Sequence, residues 1–233
     1  MSAVKTIAVI GAMEQEIELL KSRLEQAETE TFGTLSAWSG LYCGHRVVLV
    51  LSGIGKVNAA VATAWVVFRF RPDYVVNTGS AGGLAGGLKV GDVVIGTHAV
   101  HHDADVTAFG YRYGQLPGQP PLFESDAMLV ETAFRAAAFD GAAVYQGLIG
   151  SGDQFVHSSE TAAEIRRNFP DIQAVEMEAA AIAQTCARLQ TPFVLIRAIS
   201  DSADEKADIS FDEFLKTAAV HSAETVTAML KAL

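Results

Sequence analysis

Gln173–Ser200 reads QAVEMEAAAIAQTCARLQTPFVLIRAIS, and this stretch decides the fold class. Gln173–Glu176 is a short apolar run with the look of a strand. The small, helix-favouring residues from Glu178 to Arg188 read as a helix. Phe193–Ser200 is a second buried strand, apolar but for Arg197 and its last residue. Strand, helix and strand in immediate succession form the unit from which α/β sheets are built. The same stretch places its charges oddly. Glu176 and Glu178 stand in apolar surroundings, where an uncompensated charge is costly. Arg197 interrupts a core strand, and with side chains repeating every two residues it shares a face with Ile199 and Asp201. Such a set is either a structural ion-pair network or a polar site at strand ends, and both readings stay open here.

Outward from this unit the alternation continues. Thr6–Ile10 (TIAVI), closed by Gly11, is a central strand. Glu14–Ala27 carries Ile17, Leu20 and Leu24 at helical spacing and predicts an amphipathic helix. Thr31–Gly40 and Arg46–Ser52 flank a hairpin connection at Tyr42-Cys43-Gly44-His45. Lys56–Phe70 is Ala- and Val-rich with helical period and stops before Pro72. Tyr74–Asn77 is a buried strand running into the glycine-dense segment Gly79–Gly91, and strand resumes around Val93–Ile95. His101–Gly118 is a long loop whose aromatics argue against disorder. Asp126–Ala138 is a helix, Ala143–Ser151 a strand, and Ser158–Asn168 a helix with Ser158 or Ser159 as N-cap. Ser210-Phe211-Asp212-Glu213 has capping-box form and is expected to open a final helix. With no linker or repeat in view, residues 1–233 predict a single α/β domain around a mostly parallel, covered sheet.

Composition narrows the setting. Half of the 233 residues are hydrophobic and the net charge is −10, a balance unsuited to sustained contact with a phosphate backbone. No apolar stretch reaches the roughly 18 residues of a membrane span. Cys43 and Cys186 stand in no metal or redox spacing, which fits a reducing cytoplasm. Thr6–Met13 is apolar but short and is followed at once by Glu14, Glu16 and Glu18, a poor signal peptide and a good first strand.

Several motifs invite chemistry. Asn77–Asp92 (NTGSAGGLAGGLKVGD) follows a strand, so its glycines favour close approach of backbone amides to a ligand; it matches neither dinucleotide nor phosphate-loop spacing. His101, His102, Asp103 and Asp105 match no metal motif and read as a solvated loop. Ser80 lacks a nucleophile elbow and a general base. Glu14 and Glu16 close the first strand, where Glu16 either points into the same sheet end or simply favours a helix start.

In order, the chain carries GAMEQE (Gly11–Glu16), SGIGKVNAA (Ser52–Ala60), NTGSAGGL (Asn77–Leu84), KVGDVV (Lys89–Val94), HDADVTAFGYRYGQLPG (His102–Gly118), SGDQF (Ser151–Phe155), AVEMEAAAIA (Ala174–Ala183) and RAISDSAD (Arg197–Asp204). Together these resemble the bacterial 5′-methylthioadenosine/S-adenosylhomocysteine nucleosidases, within the purine nucleoside phosphorylase and hydrolase superfamily. The resemblance runs from about Lys5 to the final helix. It implies a mixed central sheet covered by helices on both sides, no cofactor, no metal, and hydrolysis of the N9–C1′ bond through an oxocarbenium-like transition state. It gives Asp201 the part of general acid toward adenine N7 and Glu16 that of activating water, with Arg197 and Ser80 nearby. Glu178 and the Met177 backbone become the ribose clamp, Phe155 the stacking ring for adenine, and the Val156 backbone the reader of its edge. Ala81, Gly82, Glu176 and Ser200 complete the contacts. Met13, Ile54 and Phe211 would line the 5′-alkylthio pocket, completed by Val106, Phe109 and Pro117 of a second subunit, which implies a homodimer. A phosphorylase is disfavoured by Glu14 and Glu16 at the strand end and by Asn77, where phosphorylase relatives tend to carry Arg. A futalosine or aminofutalosine hydrolase and a non-catalytic nucleoside-binding protein are the remaining alternatives on this scaffold.

Overall fold

The computed structural model describes residues 4–137, 142–204 and 207–233, without the side chains of residues 208–210. The strands are β1 (Thr6–Gly11), β2 (Glu25–Phe32), β3 (Leu35–Tyr42), β4 (His45–Leu51), β5 (Tyr74–Gly83), β6 (Val93–His101), β7 (Phe123–Glu124), β8 (Val144–Ser151), β9 (Ile172–Glu176) and β10 (Phe193–Asp201). The helices are α1 (Glu14–Ser22), α2 (Lys56–Phe70), α3 (Ala127–Ala136), α4 (Ser159–Asn168), α5 (Ala179–Arg188) and α6 (Ala207–Ala232).

Strand β5 is the hub. It runs parallel to β1 through its first half and parallel to β10 along nearly its whole length, while its last residues pair antiparallel with β9. From β10 the pairing continues antiparallel to β6, parallel to β8 and parallel to β9, which returns to β5. Five strands thus close on themselves, and β1, β4, β3 and β2 extend from β5 as an open flap. Parallel and antiparallel pairs both occur, so the sheet is mixed, as the resemblance implies. This corrects the mostly parallel reading: a βαβ alternation fixes neighbours in sequence but not the antiparallel meetings of β10 with β6 and of β9 with β5.

Alternate residues of the central strands enter opposite cores. Ala8, Ile10, Val48, Val50 and Leu195 pack with α2 and α5, whereas Ile7, Val9, Val47, Leu49, Val194 and Ile196 pack with α1, α3 and α6. Two covered faces explain why these strands are apolar throughout rather than alternating.

Several boundaries differ from expectation. The first helix stops at Ser22 rather than Ala27, capped at Arg23 by N–H bonds to Leu20 and Lys21 carbonyls, and Glu25–Phe32 becomes the outermost strand. Its Glu and Thr residues, mostly exposed, carry no apolar period, yet charge is how an edge strand avoids further pairing. Strand β5 continues through the glycines to Gly83 instead of ending at Asn77. Helix α6 starts at Ala207, after a turn in which its N–H donates to the Asp204 carbonyl, so Ser210 is interior and opens nothing. Helix α3 begins after Asp126, whose side chain caps Leu129 N–H; its expected last residue, Ala138, lies outside the described residues. Thr31–Gly40, expected as one strand, is divided between the end of β2, a turn at Gly33-Thr34 and β3, and His101, expected to start a solvated loop, is buried at the end of β6. Tyr42 pairs with His45 across Cys43-Gly44, both at positive φ as a type I′ turn requires.

Candidate active site

Strand β5 changes partner in mid-course. Pairing with β1 ends at Asn77 and pairing with β9 begins at Gly82. Between them the sheet has an opening, and polar groups fill it. Ser80 donates both its N–H and its hydroxyl to Glu16 Oε1, at 2.9 and 3.1 Å. The other oxygen of Glu16 accepts from Ala12 and Met13 N–H at 2.8 and 3.1 Å. Four donors therefore fix this carboxylate at the start of α1. Gly79 allows the approach: a Cβ there would lie 2.4 Å from Arg197 Nη1 and 2.6 Å from Glu16 Oε1.

Beyond the opening lies a cleft of about 350 Å³, where carboxyl ends of several strands converge, the usual place for a ligand in an α/β sheet. Met13 and Glu16 reach it from α1, Ile54 from the turn before α2, and Ser80, Ala81 and Gly82 from β5. Phe155 and Val156 come from the connection after β8, and Glu176, Met177 and Glu178 from the passage between β9 and α5. Ser200 and Asp201 end β10, and Phe211 projects from α6. The sequence-derived set is thus largely brought together. Ala12, Gln154, Val175 and Asp212 line the cleft too and were missed, although each adjoins a residue that was named or lies inside a quoted motif. Phe155 and Phe211 meet edge to face at 5.7 Å.

Arg197 stands apart from the cleft lining. It is 1% exposed and reaches from β10 to Glu176 through a short charge-assisted bond, with Nη2 2.6 Å from Asn77 Oδ1 and 3.7 Å from Glu178 Oε2. Glu176 also accepts from Ser151 Oγ and from Glu178 and Ala179 N–H, so it is fully engaged within the protein. Burial opposes the Arg197 charge, but Glu176, Glu178 and Glu16 outweigh it and hold its pKa above the ordinary value. Glu178 has fewer partners. Its Oε1 accepts from Gly55 N–H at 2.9 Å, and burial, together with the neighbouring Glu176, pushes its pKa up to about 8 against the pull of Arg197.

Asp201 is the second perturbed acid. It is 2% exposed, and burial raises its pKa although Ala203 N–H and Ser200 Oγ, each at 2.8 Å, favour the ionised form; Asp204 adds to the rise. A carboxyl group whose pKa is raised by burial is suited to serve as a general acid.

Val106, Phe109 and Pro117 line no part of this chain's cleft. They belong to the long connection after β6, which contains one 3₁₀ turn, Thr107–Phe109, and leaves Phe109 80% exposed. In the same region His101 and His102 are buried, and burial lowers both pKa values. Asp103 is taken up by Lys56 at 2.7 Å.

Residues 6–231 match the family described as the phosphorylase superfamily. A 5′-methylthioadenosine/S-adenosylhomocysteine nucleosidase of Geobacillus thermodenitrificans is 53% identical over 224 residues, covering 96% of this chain and 95% of that one. The crystal structure of the enzyme of that name from Neisseria meningitidis, in complex with methylthio-immucillin-A, is 67% identical, with a TM-score of 0.97 over 99% of this chain and 100% of that chain. A futalosine hydrolase of Helicobacter pylori shares the architecture at a TM-score of 0.93, covering 99% of both chains, but only 34% identity. The chain belongs to the phosphorylase superfamily and, within it, to the 5′-methylthioadenosine/S-adenosylhomocysteine nucleosidases.

Proposed function

We propose that this protein hydrolyses the N-glycosidic bond of 5′-methylthioadenosine and S-adenosylhomocysteine, releasing adenine and 5-methylthioribose or S-ribosylhomocysteine. One observation carries the choice of water over phosphate. Among the described residues the cleft is lined by Glu16, Glu176, Glu178, Asp201 and Asp212, and by no Lys, Arg or His. An anionic nucleophile needs cationic donors; a water molecule needs a carboxylate that can take its proton.

In this mechanism the C1′–N9 bond breaks with its electron pair passing to adenine, while Asp201 delivers a proton to N7. Glu16, held by its four donors, receives the proton of the water that attacks C1′. Glu178 accepts from the 2′- and 3′-hydroxyls of the ribose. Phe155 stacks on the base, and Met13, Ile54 and Phe211 surround the alkylthio group. Arg197 acts as a positioning residue, because it orients Glu176 and balances the carboxylates without facing the cleft. The whole of residues 1–233 serves this one site as a single domain.

The working form in this reading is a homodimer. Phe109, 80% exposed, and Val57 and Phe68 on α2, 74% and 73% exposed, supply apolar surface that a monomer has no use for. Val106, Phe109 and Pro117 then close the partner's alkylthio pocket. Two free cysteines support a reducing cytoplasm, where cleavage of these thioethers feeds methionine salvage. Among the described residues no helix is long and apolar enough to cross a membrane.

The test is release of adenine from each nucleoside in phosphate-free buffer, with the sugar product identified. Equal rates with and without phosphate, and a reducing sugar as product, are expected. A sugar 1-phosphate as the main product would overturn the proposal.

A further inference from the structure

Phe155 and Val156 stand on the connection between β8 and α4, and that connection is fastened chiefly at its ends. Gly152 N–H donates to the Glu176 carbonyl at 3.1 Å, and Ser158 caps α4. Among the described residues, no backbone N–H from Gln154 to His157 donates a hydrogen bond. Asp153 is the remaining anchor. Its N–H donates to Asp103 Oδ2 at 3.0 Å, its Oδ1 accepts from Lys56 N–H at 2.8 Å, and its Oδ2 lies 4.0 Å from Lys56 Nζ. Lys56 Nζ also sits 2.7 and 2.8 Å from the two oxygens of Asp103.

The residue before Lys56 holds the opposite side of the cleft, since Gly55 donates its N–H to Glu178. Two successive amides of one turn therefore grip a sugar-side carboxylate and, through Asp153, the loop that bears the aromatic wall. Asn58 Nδ2 donates to the Ile54 carbonyl at 2.8 Å and stiffens that turn. Gly55 adopts φ +99°, and a Cβ there would stand 3.3 Å from Asp153 Oδ1.

We propose that Lys56, acting with Asp103 and Asp153, is a positioning residue that sets the base-side loop in register with the ribose-side turn. It touches no reacting atom. Without its ammonium, the Asp103 and Asp153 carboxylates face each other uncompensated, and repulsion moves the loop that carries Phe155. The side chains of Lys56 and Asp103 are only 21% and 24% exposed, so salt screens this pair incompletely. The assignment of base side and sugar side rests on the nucleosidase reading.

Three variants test the idea: Lys56→Met, Lys56→Arg, and Lys56→Met combined with Asp103→Asn. Adenine affinity by calorimetry, steady-state kinetics and hydrogen exchange of the 154–157 amides are compared with the parent protein. In Lys56→Met, adenine affinity falls and KM rises about five- to tenfold while kcat stays within about twofold, and the 154–157 amides exchange faster. Lys56→Arg restores most of the affinity. The double variant recovers part of it, because the charge facing Asp153 is gone. Unchanged exchange and adenine affinity in a folded Lys56→Met protein would overturn the proposal, as would losses that follow melting temperature alone with no recovery in the double variant. A parent protein that binds adenine but cleaves neither nucleoside would refute the nucleosidase reading instead, and exchange would still decide the role of Lys56.

Discussion

Replacing Asp201 with asparagine removes one proton donor and almost nothing else. The carboxyl group lies at 2% exposure, accepting from Ala203 N–H and Ser200 Oγ at 2.8 Å each. In Asp201→Asn the amide oxygen keeps the Ala203 bond. The new NH₂ donates to Ser200 Oγ, whose hydroxyl turns toward the Ala81 carbonyl 3.3 Å away. Every polar group therefore retains a partner, so folding should be little affected. The chemical loss is large: general acid assistance is worth about 10²–10⁴ in rate, or about 3–5 kcal/mol of barrier. The assay compares adenine release from methylthioadenosine with cleavage of a nitrophenyl thioriboside, whose leaving group departs without a proton. The first reaction should fall by at least about a hundredfold and the second by less than about tenfold. Wild-type turnover should also decline as pH rises through the elevated pKa of Asp201, and that limb should vanish in the variant. The sign for stability is the same. Because the folded-state pKa is raised, the protonated acid favours the native state. That contribution is complete below the ordinary aspartate range and is lost as pH climbs through the folded value. Equal losses on both substrates would refute the assignment of Asp201 as the acid.

Glu16→Gln should abolish activity on both substrates. Its amide would also turn a donor toward Ala12 and Met13 N–H or toward Ser80 N–H, costing about 1–3 kcal/mol, read as a melting-temperature drop of several degrees. Glu178→Gln should raise KM by weakening capture of the 2′,3′-diol. Calorimetry should show that it flattens the decline in stability between the ordinary glutamate range and about 8, since native Glu178 holds its proton across that window. Phe109→Ala should raise KM for methylthioadenosine more than for adenosine, and sedimentation of the parent protein should give a dimer; a fully active monomer would refute the shared pocket. Gly79→Ala drives a methyl group to within 2.4 Å of Arg197 Nη1 and 2.6 Å of Glu16 Oε1, and thermal unfolding should show a loss of about 1–3 kcal/mol.

The sequence was most informative where one residue type has few uses. Glu176, Glu178 and Arg197 were visible as charges inside apolar runs, and the structure joins them in one buried cluster. Asp201 was visible as the polar end of a core strand. Helix α2 and the turn at Cys43-Gly44 were legible from local period and turn chemistry. What escaped depended on partners distant in the chain. Glu25–Ala27 looks like the end of a helix until β3 is there to pair with Glu25–Phe32. The glycines after Asn77 look like a loop because nothing local shows that β10 will pair with them through Gly82. Asp103 sat in a stretch weighed for metal binding, whereas its partner, Lys56, is the first residue of α2, 47 residues earlier. An ion pair between a helix start and a distant loop leaves no periodicity, so sequence reading has no handle on it.

The closed ring of strands has a consequence for how the protein must be made. Strand β10 is the last of the described strands in chain order, and it is the piece inserted between β5 and β6. Until it emerges, both of those strands present unpaired edges, the kind of surface on which nascent chains stick to one another. Helix α6 follows later still, bringing Ser222, whose hydroxyl bonds the Thr78 hydroxyl and accepts from Gly79 N–H, next to Ser80 of the cleft. The catalytic floor can therefore be assembled only after β10 and the Ser222 turn of α6 have been made. A chain stopped before β10 is left with an open ring, whereas one stopped in α6 before Ser222 has its ring complete but Thr78 and Gly79 unsupported, and chaperone demand should be greatest in the interval before β10 appears.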